Sequence, residues 1–110
     1  MLSKEKILPD CPVAVTVSLI GNKWKLLIIR NLLNGKARFG ELKDGIDGIS
    51  QKVLTDNLKS MEEDGIIIRT AYPEIPPRVE YELSNLGKSL KPLIDDMKIW
   101  GENYKKKMKE

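Results

Sequence analysis

The hydrophobic period of the chain changes at Gly65. Before it, Leu54, Leu58 and Met61 recur at spacings of four and three, the mark of one buried helix face. After it, residues 66–72 are rich in β-branched and aromatic side chains, and residues 79–83 alternate apolar with polar. Between these two extended runs stand Pro73, Pro76 and Pro77, which lack the N–H that a ladder needs, so the runs are expected to pair as a hairpin with a proline-stiffened tip. Gly65 suits the left-handed position after a helix, with Ile66 closing back onto Met61.

The remaining punctuation fills in the elements. Pro12 belongs in the first turn of a helix, where its missing N–H costs nothing; Val13, Val17 and Ile20 repeat on one side until Gly21. Asn22 can cap a second helix in which Trp24, Leu27, Ile28 and Leu32 follow helical spacing, with Leu26, Ile29 and Leu33 widening the apolar face. Gly35 ends it, residues 36–38 connect, and a short third helix over 39–43 turns Phe39 and Leu42 inward. After a turn at 45–48, Ser50 is the natural N-cap of a fourth helix reaching about Asp64. Ser84 caps a last helix whose Leu86, Leu90, Leu93, Met97, Trp100 and Tyr104 form a heptad seam. Pro92 predicts a kink or break near Lys91, and the lysine-rich end at 105–109 is expected to fray.

Composition narrows the chemistry. A chain of 110 residues, 41% hydrophobic, leaves room for one domain with one modest core. It contains no histidine and one cysteine, which removes His-based nucleophile pairs, nearly all zinc sites and any internal disulfide. Gly35-Lys36 lacks the rest of a phosphate-binding loop, since Arg30 stands where the earlier glycine is needed and Ala37 replaces the Mg²⁺-binding hydroxyl. No catalytic residue, metal site or cofactor is expected. No apolar run approaches the ~20 residues of a membrane span, and residues 1–10 have no apolar signal core, so a cytoplasmic protein with no membrane partner is expected. The charge of +3, from 19 basic and 16 acidic residues, attracts polyanions only mildly, so the distribution of cations must carry any binding argument.

Three helices followed by a hairpin are the order of a winged helix-turn-helix. The wording of residues 21–81 also resembles the HxlR family of bacterial winged-helix transcription regulators: G-N-K-W, L-L-N-G-K-A-R-F-G-E-L, I-S-Q-K-V-L-T-D-N-L, D-G and P-P-R-V-E-Y stand in the family's order. The expected fold is α+β, mainly α, with a winged-helix core over 12–83 and a C-terminal dimerisation helix over 84–110, together one domain over 1–110. The polar, basic N-terminal half of the fourth helix has the donors to read a major groove, Gln51 suiting adenine and Lys52 guanine. The resemblance implies Ser50, Gln51, Lys52, Thr55 and Lys59 as DNA readers, with Arg38, Arg69 and Arg78 as phosphate or wing contacts. Any one of these cations taken alone is better explained as a solvated surface charge. Asp56 opposes the simplest picture: phosphates repel it, and it either accepts from cytosine or orients Lys52 or Lys59 along the helix. Where the family carries a Gln-Arg type of pair, this chain has Asp56-Asn57, so contacts at those two positions are not carried over.

Leu93, Met97, Trp100 and Tyr104 read either as an intramolecular helix face or as a seam between two chains; dimerisation avoids an exposed apolar strip and matches the two-fold half-sites of DNA. Cys11, at the start of the first helix, reads from its surroundings as a half-buried packing residue, whereas its position matches an N-terminal cysteine that several family members use to sense electrophiles or disulfide stress. The implied function is a sequence-specific DNA-binding transcriptional regulator: a homodimeric repressor on a palindrome in double-stranded promoter DNA, responsive to redox or electrophile stress or to a small-molecule effector. The competing class is a winged-helix protein-interaction module that does not bind DNA. A thiol-dependent redox enzyme is disfavoured because no base or resolving thiol accompanies Cys11.

Overall fold

The computed structural model describes residues 7–109, so the first six of residues 1–10, read above as lacking a signal core, lie outside the described residues. Helix α1 spans Pro12–Ile20 and α2 spans Lys23–Leu32, bent 79° from one another. A two-residue strand β1, Ala37–Arg38, leads directly into α3, Phe39–Gly45, and α4 follows at Gln51–Glu63. The hairpin is β2, Ile67–Tyr72, with β3, Arg78–Leu83; then come the one-turn α5, Asn85–Lys88, and the long α6, Lys91–Met108. The sheet is antiparallel in the order β1-β3-β2. Among the described residues no single helix is long and apolar enough to cross a membrane.

The caps explain the boundaries. Asn22 accepts from the Lys25 N–H at 2.9 Å and Ser50 from the Val53 N–H at 3.1 Å, each satisfying an otherwise orphan donor of a first turn. At the other end of α4, Gly65 adopts φ 78°, its N–H reaches the Glu62 carbonyl at 3.0 Å, and the Ile66 N–H reaches Met61 at 2.9 Å. This is the double bond of a Schellman stop, and it turns the chain from helix into strand.

One core serves α2, α3, α4 and the sheet. Ile28, Ile29, Leu32, Leu42, Ile46, Leu54, Leu58, Met61, Ile67 and Leu83 are all buried in it. Leu54, Leu58 and Met61 lie on one stripe of α4, and at roughly 1.5–3 kcal/mol per fully buried side chain they fix that helix in rotation as well as in place. Trp24 is only partly buried, with the Lys23 ammonium 4.6 Å above its ring.

Three expectations need adjustment. The connection at 36–38 is not a plain loop, because Ala37 and Arg38 pair with Tyr81 and Glu80 of β3. The last helix is two helices: Ser84 caps only α5, the chain breaks at Ser89 and Leu90, and Pro92 occupies the first turn of α6, where its missing N–H is harmless. The lysine-rich end is helical to Met108 instead of frayed, with Lys105, Lys106 and Lys107 at the negative end of the helix dipole. Gly87 locks the α5 turn onto the core: a Cβ there would lie 2.3 Å from the Ile66 carbonyl oxygen, and the Ser84 hydroxyl donates to the Gly65 carbonyl at 2.6 Å.

Candidate nucleic-acid interface

With its buried stripe docked, α4 can present only one face to a ligand. At 100° per residue, Lys52 and Asp56 stand about 150° and 170° round the helix from the centre of that stripe, Lys59 about 130°, Thr55 about 95° and Gln51 about 55°. All five are exposed. Lys52 and Asp56 are therefore the outermost side chains of the N-terminal half, while Thr55 and Gln51 lie on its flank. Ser50 caps the helix through Oγ, which leaves its hydroxyl proton available to an acceptor.

The other flank is tied down. The Asn57 amide donates to the Val53 carbonyl at 2.7 Å and accepts from Asn22 Nδ2 at 3.2 Å, and Lys25 Nζ donates to Ser60 Oγ at 3.0 Å. The Asn22–Asn57 and Lys25–Ser60 bonds stitch α4 to α2 across a sequence separation of 35 residues, which no local pattern reveals.

Electrostatically the face is mixed. Lys52 Nζ lies 2.7 Å from Asp56 Oδ2, which settles the helical partner of Asp56 as Lys52. The hydrogen bond that Lys52 donates to Asp56, and then the carboxylate's charge, hold the pKa of the Lys52 ammonium above the ordinary lysine range. Because the folded pKa is raised, the stabilisation that the Lys52 charge draws from the pair is lost as pH rises through the lysine range. No ion pair involving Arg38, Lys59 or Arg69 occurs among the described residues.

The hairpin separates its two arginines. Arg69 lies opposite Tyr81 and Arg78 opposite Tyr72, and the alternation of a strand puts these two pairs on opposite faces of the wing. Arg78 is held there by Glu74 at 2.8 Å and Glu80 at 3.3 Å, with its guanidinium 4.0 Å over the Tyr72 ring. Its charge is thus largely answered within the wing, whereas exposed Arg69 keeps its own.

The remaining sites lie elsewhere. Cys11 is exposed and occupies the N-cap of α1 without a side-chain capping bond, so the half-buried placement read from its surroundings does not hold. On α6, Leu93, Met97, Trp100 and Tyr104 are 38%, 44%, 69% and 51% exposed, and the last two rings stack with centroids 5.5 Å apart. Val13 and Val17 of α1 are also exposed, leaving only Ile20 of that helix's repeat in the core.

Three helices docked as a unit, a fourth-position helix with a free polar face and a flanking antiparallel hairpin define a winged helix-turn-helix protein. The HxlR-like helix-turn-helix family matches residues 19–109. The HTH-type transcriptional regulator YdeP of Bacillus subtilis is 45% identical over 95 residues, covering 86% of this chain and 74% of that protein. An HTH-type transcriptional regulator of Methanothermobacter thermautotrophicus is 47% identical over 94 residues, covering 86% of this chain and 72% of that one. Among solved structures, the redox regulator HypR in its oxidised form has a TM-score of 0.81 at 42% identity, covering 84% of this chain and 96% of that one. Its reduced form has a TM-score of 0.84 at 38% identity, covering 90% and 98%. The chain belongs to the HxlR-like helix-turn-helix family, and with it to the DNA-binding transcription regulators rather than to the enzymes.

Proposed function

We propose that this chain is a homodimeric repressor that grips a palindrome in double-stranded promoter DNA and releases it when Cys11 is oxidised or alkylated, or when a small ligand binds. The observation that carries the reading is the outward face of α4, rotationally fixed by Leu54, Leu58 and Met61 and exposing Lys52, Thr55 and Lys59. In this reading α4 enters the major groove N-terminus first, Ser50, Gln51, Lys52 and Thr55 meet base edges, and Lys59, Arg38 and Arg69 meet phosphates. Arg78 supports the wing from within and contributes less to the long-range field.

The dimer follows from exposed apolar area. Leu93, Met97, Trp100 and Tyr104 leave exposed apolar area along α6 that a second copy of the chain can cover, which supports 84–110 as a dimerisation segment beyond the 12–83 core. Two copies would place their α4 helices on successive major-groove turns, about 34–36 Å apart. With one cysteine per chain, a disulfide must join two subunits or take up a small thiol, and Cys11, exposed at the N-cap of α1, is open to either. The likeness to HypR, a redox regulator solved in oxidised and reduced forms, supports this choice of signal.

The reading is tested by titrating duplex DNA, enriched from a random pool by the protein, at several salt concentrations. A repressor loses affinity steeply between 50 and 200 mM salt as counterions are released. A flat salt response would favour the protein-interaction module, which the internal neutralisation of Lys52 and Arg78 makes the second reading. Cys11→Ser should bind as the wild type does and lose the response to diamide; equal loss of binding by both proteins would move the signal away from Cys11.

A further inference from the structure

The outermost position on α4 is held by a pair of opposite charges rather than by a cation. Lys52 and Asp56 lie one turn apart, their heads 2.7 Å from each other, with side chains 84% and 62% exposed. A carboxylate turned towards a polyanion is unfavourable unless it accepts a hydrogen bond there, and in the major groove the donors are the amino groups of cytosine and adenine. After donating once to Asp56, the ammonium keeps two N–H groups, which match N7 and O6 of guanine. Asp56 Oδ1 remains free to accept from N4 of the paired cytosine. An A·T pair offers adenine N7 and N6 but satisfies one hydrogen bond fewer, because it has no second acceptor beside N7.

We infer that the Lys52–Asp56 pair reads one G·C base pair in each half-site, Lys52 taking the guanine edge and Asp56 the cytosine amino group. This rests on the DNA-binding reading above. The neighbouring side chains leave the role to this pair. Asn57 is committed to Val53 and Asn22, Gln51 and Thr55 stand on the flank, and Lys59, about two turns from the N-terminus, lies further round from the outermost position than either member of the pair. Glu63 lies on the same side of the helix but is partly buried, and at 1.5 Å per residue it stands about 10 Å further along the axis than Asp56.

The test is selection from a randomised duplex pool by the full-length wild type, Asp56→Ala and Asp56→Asn, followed by titration of the enriched duplexes. Wild type should enrich an invariant G·C pair, and replacing that pair by A·T should weaken binding roughly tenfold to a hundredfold. Asp56→Ala should bind both duplexes within about threefold of each other and hold non-specific DNA more tightly, since a phosphate-facing charge is gone. Asp56→Asn should move the preference towards A·T, because an amide pairs with adenine N6 and N7. A side chain that is merely solvated or repulsive predicts tighter binding to every sequence with an unchanged pattern. Enrichment of the same half-site, with the same discrimination, by wild type and both variants overturns the pair as a reader while leaving DNA binding intact. Absence of enrichment by the wild type overturns the DNA-binding reading and this inference with it. Circular dichroism identical for the three proteins confirms that an exposed position was altered without loss of fold.

Discussion

Helices α4 and α6 are both amphipathic, of 13 and 18 residues, yet they spend their apolar faces in opposite ways. α4 buries Leu54, Leu58 and Met61 against its own chain, while no residue of the longer α6 is buried. The first is complete within one polypeptide, and its outward face is correspondingly fixed. The second carries Leu93, Met97, Trp100 and Tyr104 exposed along it, while its Ile94 packs in part against the core. An amphipathic pattern therefore says that a face will be covered, and the tertiary structure says by what.

The contrast can be broken most sharply at Leu58, which is 2% exposed. Leu58→Ala should cost roughly 2–5 kcal/mol of stability in urea denaturation, through lost transfer energy and a cavity that close neighbours cannot fill. A cost below about 1 kcal/mol would mean that α4 is held otherwise. On the other helix, Met97→Glu should leave helicity intact but weaken self-association on the order of thirtyfold or more, the scale of losing a central interface residue, as read by sedimentation at micromolar concentration. A variant that stays dimeric with unaltered affinity would place the interface away from α6. Gly87 lies between the two regimes. Gly87→Ala should cost about 1–3 kcal/mol, because its methyl group would overlap the Ile66 carbonyl and push the α5 turn, with α6 behind it, off the core. The smallest effect separates the two wing arginines: Arg69→Ala should flatten the salt dependence of DNA binding by roughly one unit of slope, and Arg78→Ala by clearly less. Equal slopes for the two would show that the carboxylates around Arg78 release it on DNA.

Much of the fold was legible because it is written in local chemistry. Asn22, Ser50 and Ser84 cap where their side chains and spacing indicate, and Gly65 stops α4 with the geometry that a glycine followed by Ile66 implies. The prolines at 73, 76 and 77 delimit the wing. Strand β1 was not legible: two residues have no period, and they become a strand only because β3 runs beside them. The break before α6 falls at Ser89 and Leu90, slightly ahead of the proline that signals it, since Pro92 is tolerated inside the first turn it helps to start. The candidate site divides in the same way. Lys52 and Lys59 could be assigned to an outward face, and Thr55 to its flank, from the positions of Leu54, Leu58 and Met61, and the Lys52–Asp56 pair lies within one helical turn. The engagement of Arg78 by Glu74, Glu80 and Tyr72 depends on the pairing of two strands, and the ties from Asn22 and Lys25 to α4 depend on the docking of two helices.

By itself the sequence determined α1 to α4 and the wing hairpin in order, the caps at Asn22 and Ser50, the stop at Gly65 and the family to which the wording belongs. These follow from interactions within a few residues, where the chain's own geometry limits the choices. Only the tertiary structure decided which stripe is covered from within, which cations are answered by carboxylates and which side chains tie α4 to α2. Those outcomes depend on register, rotation and contact between distant segments, and such contacts leave no periodic trace along the chain.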